Sequence, residues 1–217
     1  MEHFETRRLV PGAKHAVLFL HGIAGTPNQF RTLIPLETLV PEDWSLFNIR
    51  YPGHGGDVSG FGNSNMDQWR ACAREAFLEL AEKHQKIFLV GHSMGTLFAM
   101  QLAMEKSEKV SGLFLLNVPL RPWMRLFCAA NCLRLAFGRI REYHPREASF
   151  QAACGVATTP LVWKYIPWIP RILELFVEIY RTEKIMEKKI IIVRTTCYNQ
   201  HDEVVMDGSA VELMRVR

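Results

Sequence analysis

Apolar runs of eight or nine residues recur along the chain, separated by stretches in which apolar positions fall three and four apart. The runs are "HAVLFLHG" (15–22), "WSLFNIRY" (44–51), "KIFLVGHS" (86–93), "VSGLFLLN" (110–117) and "KIIIVRTTC" (189–197). Short runs rich in Val, Ile, Leu and Phe suit strands buried on both faces of a parallel sheet. "FETRRLV" (4–10) adds an edge strand. Between the runs, "MDQWRACAREAFLELAEKH" (66–84) places Trp69, Cys72, Ala73, Ala76, Phe77 and Leu80 on one side of a helix. A second run of helix formers extends from Ser93 to Lys106. Strand and helix therefore alternate, the pattern of an α/β domain with a mostly parallel sheet.

The alternation stops between Pro119 and Lys188, where Pro122, Pro145, Pro160, Pro167 and Pro170 punctuate several helical stretches. Some 70 residues are too many for a plain loop. The expected organisation is a core built from residues 1–118 and 189–217, with 119–188 inserted as a helical cap. In "PLVWKYIPWIPRILELFVEIY" (160–180), Trp163, Tyr165, Ile166, Trp168, Ile169, Leu173, Phe176 and Ile179 have two readings. Such residues usually pack one layer on another; here they are also suited to lining an acyl pocket.

Composition narrows the class. At 217 residues, 48% hydrophobic and 22% charged, the chain has the make-up of a globular domain with one substantial core. A net charge of +4, with no basic run interleaved with aromatics, argues against a nucleic-acid partner. Six Arg against two Glu between Pro119 and Phe150 read by default as a solvated basic face, and otherwise favour peripheral contact of the cap with an anionic membrane surface, or an acidic substrate. The five cysteines are odd in number and scattered, and Cys128 and Cys132 have no second pair to complete a metal site, so free thiols and no metal or other cofactor are expected. Without an apolar h-region at the N-terminus or a run near 18 apolar residues, the expected location is the cytoplasm.

The chemistry centres on Gly91-His92-Ser93-Met94-Gly95, where an apolar strand run turns directly into a helical one. A serine hydroxyl is too weak an acid to attack a carbonyl unaided; it needs a base, and N–H groups facing the oxygen that becomes negative. A tight strand-to-helix turn pushes the side chain out at the sheet's carboxyl edge and brings helix N-terminal amides beside it. Gly91 and Gly95 suit positions where a side chain would strike the adjoining strand and helix.

Here the sequence resembles the α/β-hydrolase superfamily. Three further segments match its pattern in order: "LFLHGIAGTPNQF" its His-Gly loop, "RYPGHGGD" the loop after the next strand, and "NQHDEVVMDGSA" its acid-bearing loop. Among capped members the chain is most similar to small carboxylesterases and monoacylglycerol lipases. The resemblance implies Ser93 as nucleophile and Asp202 as the acid of a catalytic triad. It also implies the backbone N–H groups of Ile23 and Met94 as oxyanion donors, with His21, Gly22, Gly91 and Gly95 shaping the surroundings, and a small ester as substrate. Asp202 has a second reading, as a turn residue or the start of a cap before a helix near 207.

The superfamily order is Ser, acid, His. After Asp202 the 15 residues "EVVMDGSAVELMRVR" contain no histidine; they read as the start of a helix capped by Asp207 or Ser209. His21, His54, His92 and His201 are the nearest substitutes, and His3, His15, His84 and His144 have nothing in their favour. The expectation is a C-terminally shortened hydrolase of impaired activity, whose last strand, 189–197, is left as an apolar edge open to self-association. The competing expectation is a non-catalytic relative that binds a small ligand or partner beneath the cap.

Overall fold

The computed structural model describes residues 3–32, 34–119 and 161–186, and the backbone of 192–198 and 204–212. Five strands form the main sheet: β1 (Thr6–Arg8), β2 (His15–Leu20), β3 (Ser45–Asn48), β4 (Lys86–His92) and β5 (Val110–Leu116). Their order is β1-β3-β2-β4-β5, with β3, β2, β4 and β5 parallel and β1 antiparallel on β3. All five correspond to runs read from the sequence, the edge strand included.

The continuous apolar runs of β2 and β3 arise because both faces of the sheet are covered there, whereas β5 at the edge has no fully buried residue. Ala16, Leu18 and Leu20 of β2 join Phe47, Ile87 and Leu89 under one helical layer, α2 (Met66–Lys83) and α3 (Met94–Glu105). Val17 and Phe19 face the other way, onto Phe30, Leu46 and Val90. Alternation along one strand thus supplies two cores. The first face holds the larger one, with Trp69, Phe77, Leu80 and Phe98 sealed within it. The second face carries short 3-10 turns at Pro27–Phe30 and Leu36–Leu39. An apolar groove of about 380 Å3 remains between Leu36–Trp44 and β4–β5.

Local chemistry fixes the helix ends. Asn65 Oδ1 accepts from Gln68 N–H (2.9 Å) and Gln68 Oε1 accepts from Asn65 N–H (3.0 Å), a reciprocal cap at the start of α2. The short helix α1 (Val58–Asn63) is capped by Asp57, whose carboxylate accepts from Gly60 N–H.

Of the expected cap, residues 120–160 and 187–188 lie outside the described residues. Val162–Tyr165 form a 3-10 turn and Trp168–Met186 a long helix, α4, packed against α2 and α3. Ile179 is buried against Leu97 and Met100, and Trp168 Nε1 donates to Val58 O (2.9 Å). A polar cluster lies in the same interface. Glu178, 1% exposed, accepts two bonds from Arg70 (Nε 3.0 Å, Nη2 2.6 Å) and one from Gln101 Nε2 (2.7 Å). Trp163, Ile166, Ile169 and Leu173, read as packing or pocket residues, face outward instead.

Two expectations for the C-terminal part are corrected. The run 189–197 does form a strand, β6 (Ile192–Tyr198), but it belongs to a separate two-stranded sheet rather than to the parallel one. Its partner is β7 (Val204–Glu212), which runs antiparallel to it exactly where a helix near 207 was expected. Val204, Val205 and Val211 favour extended backbone, and pairing with β6 outweighs the capping signal of Asp207 and Ser209. One side of the last apolar strand is therefore covered by β7.

Candidate active site

The chain passes from β3 across β2 to reach β4, so the carboxyl ends of β2 and β4 lie side by side where the strand order reverses. Open α/β sheets place their sites at such a point. The register carries this down to single residues. Leu20 pairs with Gly91, so the segments two residues further on, Gly22 and Ser93, also meet. A Cβ added at Gly22 would lie 3.1 Å from Ser93 Cβ and 2.9 Å from His92 Nδ1.

Ser93 is the N-cap of α3 and has φ 50° and ψ −118°. A non-glycine residue in that region stores on the order of 1–3 kcal/mol of strain, tolerated where the surroundings dictate it. They do so through close packing. The Ser93 N–H donates to Leu116 O (2.9 Å), tying the turn to β5, while Thr96 N–H (3.0 Å) and Thr96 Oγ1 (2.6 Å) both donate to Ser93 O. Gly91 and Gly95 behave as expected from the sequence. A Cβ at Gly91 would come 2.8 Å from Thr96 Cα, and one at Gly95 would collide with the Leu20 carbonyl oxygen. The serine side chain makes no cap bond and is half-buried. Met94 lies in the first turn of α3, where backbone N–H groups have no intrahelical acceptor.

The loop after β2 is shaped to meet this turn. Gly22 N–H donates to Gln29 Oε1 (2.9 Å) and Gly25 N–H to Gly22 O (3.0 Å), with Ile23 and Ala24 between them. Ala24 itself is left-handed, at φ 52°.

The hydrogen bonds assign roles to the histidines. Gln29 Oε1 can only accept, so His92 Nδ1 (3.0 Å away) carries a proton and His92 Nε2 accepts from Asn117 Nδ2 (3.2 Å). Both nitrogens are occupied, and burial lowers the pKa of the ring. His21 is fully buried: Tyr51 N–H donates to Nε2 (3.4 Å), and Nδ1 donates to Gly22 O (2.9 Å). Burial, reinforced by the neighbouring His54, drives its pKa well below the ordinary value. His54 donates from Nδ1 to Pro52 O (3.1 Å) and packs edge-on to Phe61 and Trp69. Burial pushes its pKa down to about 4.

The remaining described histidines are engaged elsewhere: His3 with Thr26 and Asn28, His15 stacked on Trp44, and His84 with Leu80 O and Ser45 Oγ. Among the described residues none is bonded to the Ser93 hydroxyl. Asp202, His144 and His201 lie outside them. So do Cys128, Cys132, Cys154 and the side chain of Cys197; the half-buried Cys72 is a free thiol whose pKa burial raises to about 11, which keeps it protonated and unreactive. No cluster suited to a metal occurs among the described residues.

Sequence reasoning missed Gln29 and Asn117. Gln29 lies in a 3-10 turn and carries no periodic signal; Asn117, the residue after β5, is left-handed at φ 53°, a conformation that asparagine tolerates better than most residues.

The buried neutral histidines make stability pH-dependent. Above about pH 6.5, His54 is neutral in both folded and unfolded chains. Below that, the unfolded chain takes up a proton that the folded one refuses until about pH 4. Stability should therefore fall by up to about 1.4 kcal/mol per pH unit across this window from His54, with His21 adding in the same direction. Urea midpoints at pH 7.5 and pH 5 measure the loss, and His54→Phe should reduce it. Equal midpoints at both pH values would refute the assignment.

No helix of the described residues is long and apolar enough to cross a membrane. Among curated proteins, the chain is 30% identical over 101 residues to a thermostable monoacylglycerol lipase of Bacillus sp. (strain H-257), covering 46% of this chain and 39% of that one. It is 32% identical over 122 residues to a serine hydrolase-like protein of Danio rerio, covering 52% and 34%. The matched stretches thus span little more than a third of these relatives' own lengths. Of solved structures, that of the metagenome-derived lipolytic enzymes LipS and LipT superposes with a TM-score of 0.58 at 21% identity, covering 85% of this chain and 71% of that one. The monoacylglycerol lipase of Paleococcus ferrophilus superposes with a TM-score of 0.53 at 19% identity, covering 86% and 74%. Both share the fold. The family model for the alpha/beta hydrolase fold matches residues 15–135, more than half of the chain and the whole stretch that builds the strained serine turn, so the protein belongs to the alpha/beta hydrolase family.

Proposed function

We propose that this chain carries the machinery of a serine hydrolase acting on carboxylic esters through an acyl-enzyme at Ser93. The observation that carries the reading is the backbone of Ser93, held at φ 50° between two glycines and against Gly22. A strained serine at the carboxyl edge of a sheet, with a helix starting at the next residue, is an arrangement suited to nucleophilic attack, because it exposes the hydroxyl beside helix N-terminal amides.

In the proposed reaction Ser93 Oγ adds to the ester carbonyl carbon and gives up its proton to a base. The carbonyl oxygen becomes an oxyanion between the N–H groups of Ile23 and Met94. The intermediate collapses with loss of the alcohol, which takes the proton. Water then adds to the acyl-enzyme and releases the acid. Asp202 would orient the base, an imidazole, and stabilise its protonated form.

No histidine follows Asp202 in these 217 residues, and His21, His54 and His92 use or bury their nitrogens. For the polypeptide by itself we therefore expect slow turnover, on the order of 10³ to 10⁴ above water, supplied by the oxyanion donors and binding. A base contributed by further sequence or by another polypeptide would raise it.

The test uses a fluorophosphonate label and a short-chain p-nitrophenyl ester. The wild-type chain should label slowly at Ser93, and added imidazole should speed ester cleavage beyond its own background. Ser93→Ala should abolish both effects while melting within a degree or two of wild type. Equal labelling of Ser93→Ala would end the proposal. Unaided turnover at hundreds per second that needs Ser93 would show that one of the chain's own histidines serves as base.

A further inference from the structure

Helix α4 is apolar on two sides, and the core uses only one of them. Leu175 and Ile179 pack inward. On the opposite side Ile166, Ile169, Leu173, Val177 and Tyr180 follow one another at intervals of three and four, and with Trp163 each is between 54% and 66% exposed. Within the helix the stripe runs about 16 Å from Ile169 to Tyr180 at 1.5 Å per residue, and Ile166 and Trp163 extend it into the turn before the helix. Exposed apolar surface this continuous marks a contact site.

Charge indicates what the contact is. Between Trp163 and Lys184 the exposed ionisable residues are Lys164 at one end and Arg181, Glu183 and Lys184 at the other, three cations against one anion. Trp163 and Tyr180, the amphipathic aromatics, stand at the two ends of the stripe. We propose that this face of α4 docks on an anionic lipid bilayer. The helix lies in the plane of the headgroups, with Ile169, Leu173 and Val177 in the acyl boundary and the three cations at the phosphates. A second copy of the chain is a poorer occupant. A two-fold axis across the helix sets Lys164 near the other copy's Arg181, Glu183 and Lys184, and an axis along it sets like ends together; either way cations outnumber the one anion, three to one in each copy. An anionic surface neutralises both ends at once.

This surface is independent of the ester-hydrolase reading: Ser93→Ala protein is expected to bind equally well. The test is co-sedimentation with vesicles of phosphatidylcholine alone or containing about one-quarter phosphatidylglycerol. Wild type should partition at least about tenfold better onto the anionic vesicles, and less so in high salt. Ile169→Glu/Val177→Glu, altering two exposed positions, should reduce partitioning by about tenfold or more without changing the melting temperature. Lys164→Gln/Arg181→Gln/Lys184→Gln should remove the preference for anionic lipid. Failure of the wild type to partition, or unchanged partitioning of the glutamate variant, would overturn the proposal. So would a concentration-dependent dimer that the glutamate variant abolishes, since that assigns the stripe to a second copy.

Discussion

Gly95→Ala is expected to lower the melting temperature by roughly 6–12 °C, a loss of about 3 kcal/mol or more. The new methyl group would collide with the Leu20 carbonyl oxygen and lie 2.8 Å from that of His21. Neither atom belongs to a side chain that can swing aside. Both are backbone at the end of β2, whose position is fixed by parallel pairing of Leu20 with Gly91. Relief requires either β2 or the start of α3 to move, and each displacement opens the site between them. Labelling at Ser93 should therefore fall along with stability. Gly91→Ala, meeting Thr96 Cα at 2.8 Å, should act in the same direction, whereas Gly56→Ala, with nothing within 4 Å, is the neutral control. If Gly95→Ala melts within a degree of wild type, α3 does not begin beneath β2 as described.

Glu178→Ala should be comparably damaging for an electrostatic reason. The carboxylate is buried, receives a two-pronged contact from Arg70, and also takes a bond from Gln101. Truncation leaves a partly buried guanidinium with only Asp67 opposite it, on the solvent side. Breaking a buried pair costs about 3–5 kcal/mol, and because Arg70 retains some solvent the lower end is expected here. Replacing both partners, Arg70→Met with Glu178→Leu, removes the stranded charge and should recover most of the loss. A chemical-denaturation series of the two single variants and the double variant measures the coupling. A Glu178→Ala protein as stable as wild type would mean that α4 is not held to α2 and α3 through this cluster.

Physical periodicity explains which parts of the fold were readable in the sequence. The strands at 15–20 and 86–92 announce themselves because the middle of a parallel sheet, covered on both faces, demands unbroken apolar runs, and α2 because one face must be apolar every three or four residues; the run at 110–116 is just as apolar although this edge strand has no fully buried residue and leaves Phe114 exposed. The turn at Ser93 was legible because glycine is required where backbone crosses backbone. Glu178 was not, yet a trace of it was present: it falls on the same helical face as Leu175, Ile179 and Thr182, where a charge has no place unless it is paired. β7 was misread because Asp207 and Ser209 are good cap residues, and capping is a local preference that cross-strand pairing overrides. Gln29 left no trace, since a side chain that serves backbone atoms in a loop obeys no period.

That same glutamine has a mechanical consequence. One oxygen, Gln29 Oε1, receives both the amide of Gly22 and the ring of His92, so it rivets the glycine loop and the serine turn to a common point. A displacement of either segment is thereby passed to the other through a single shared acceptor.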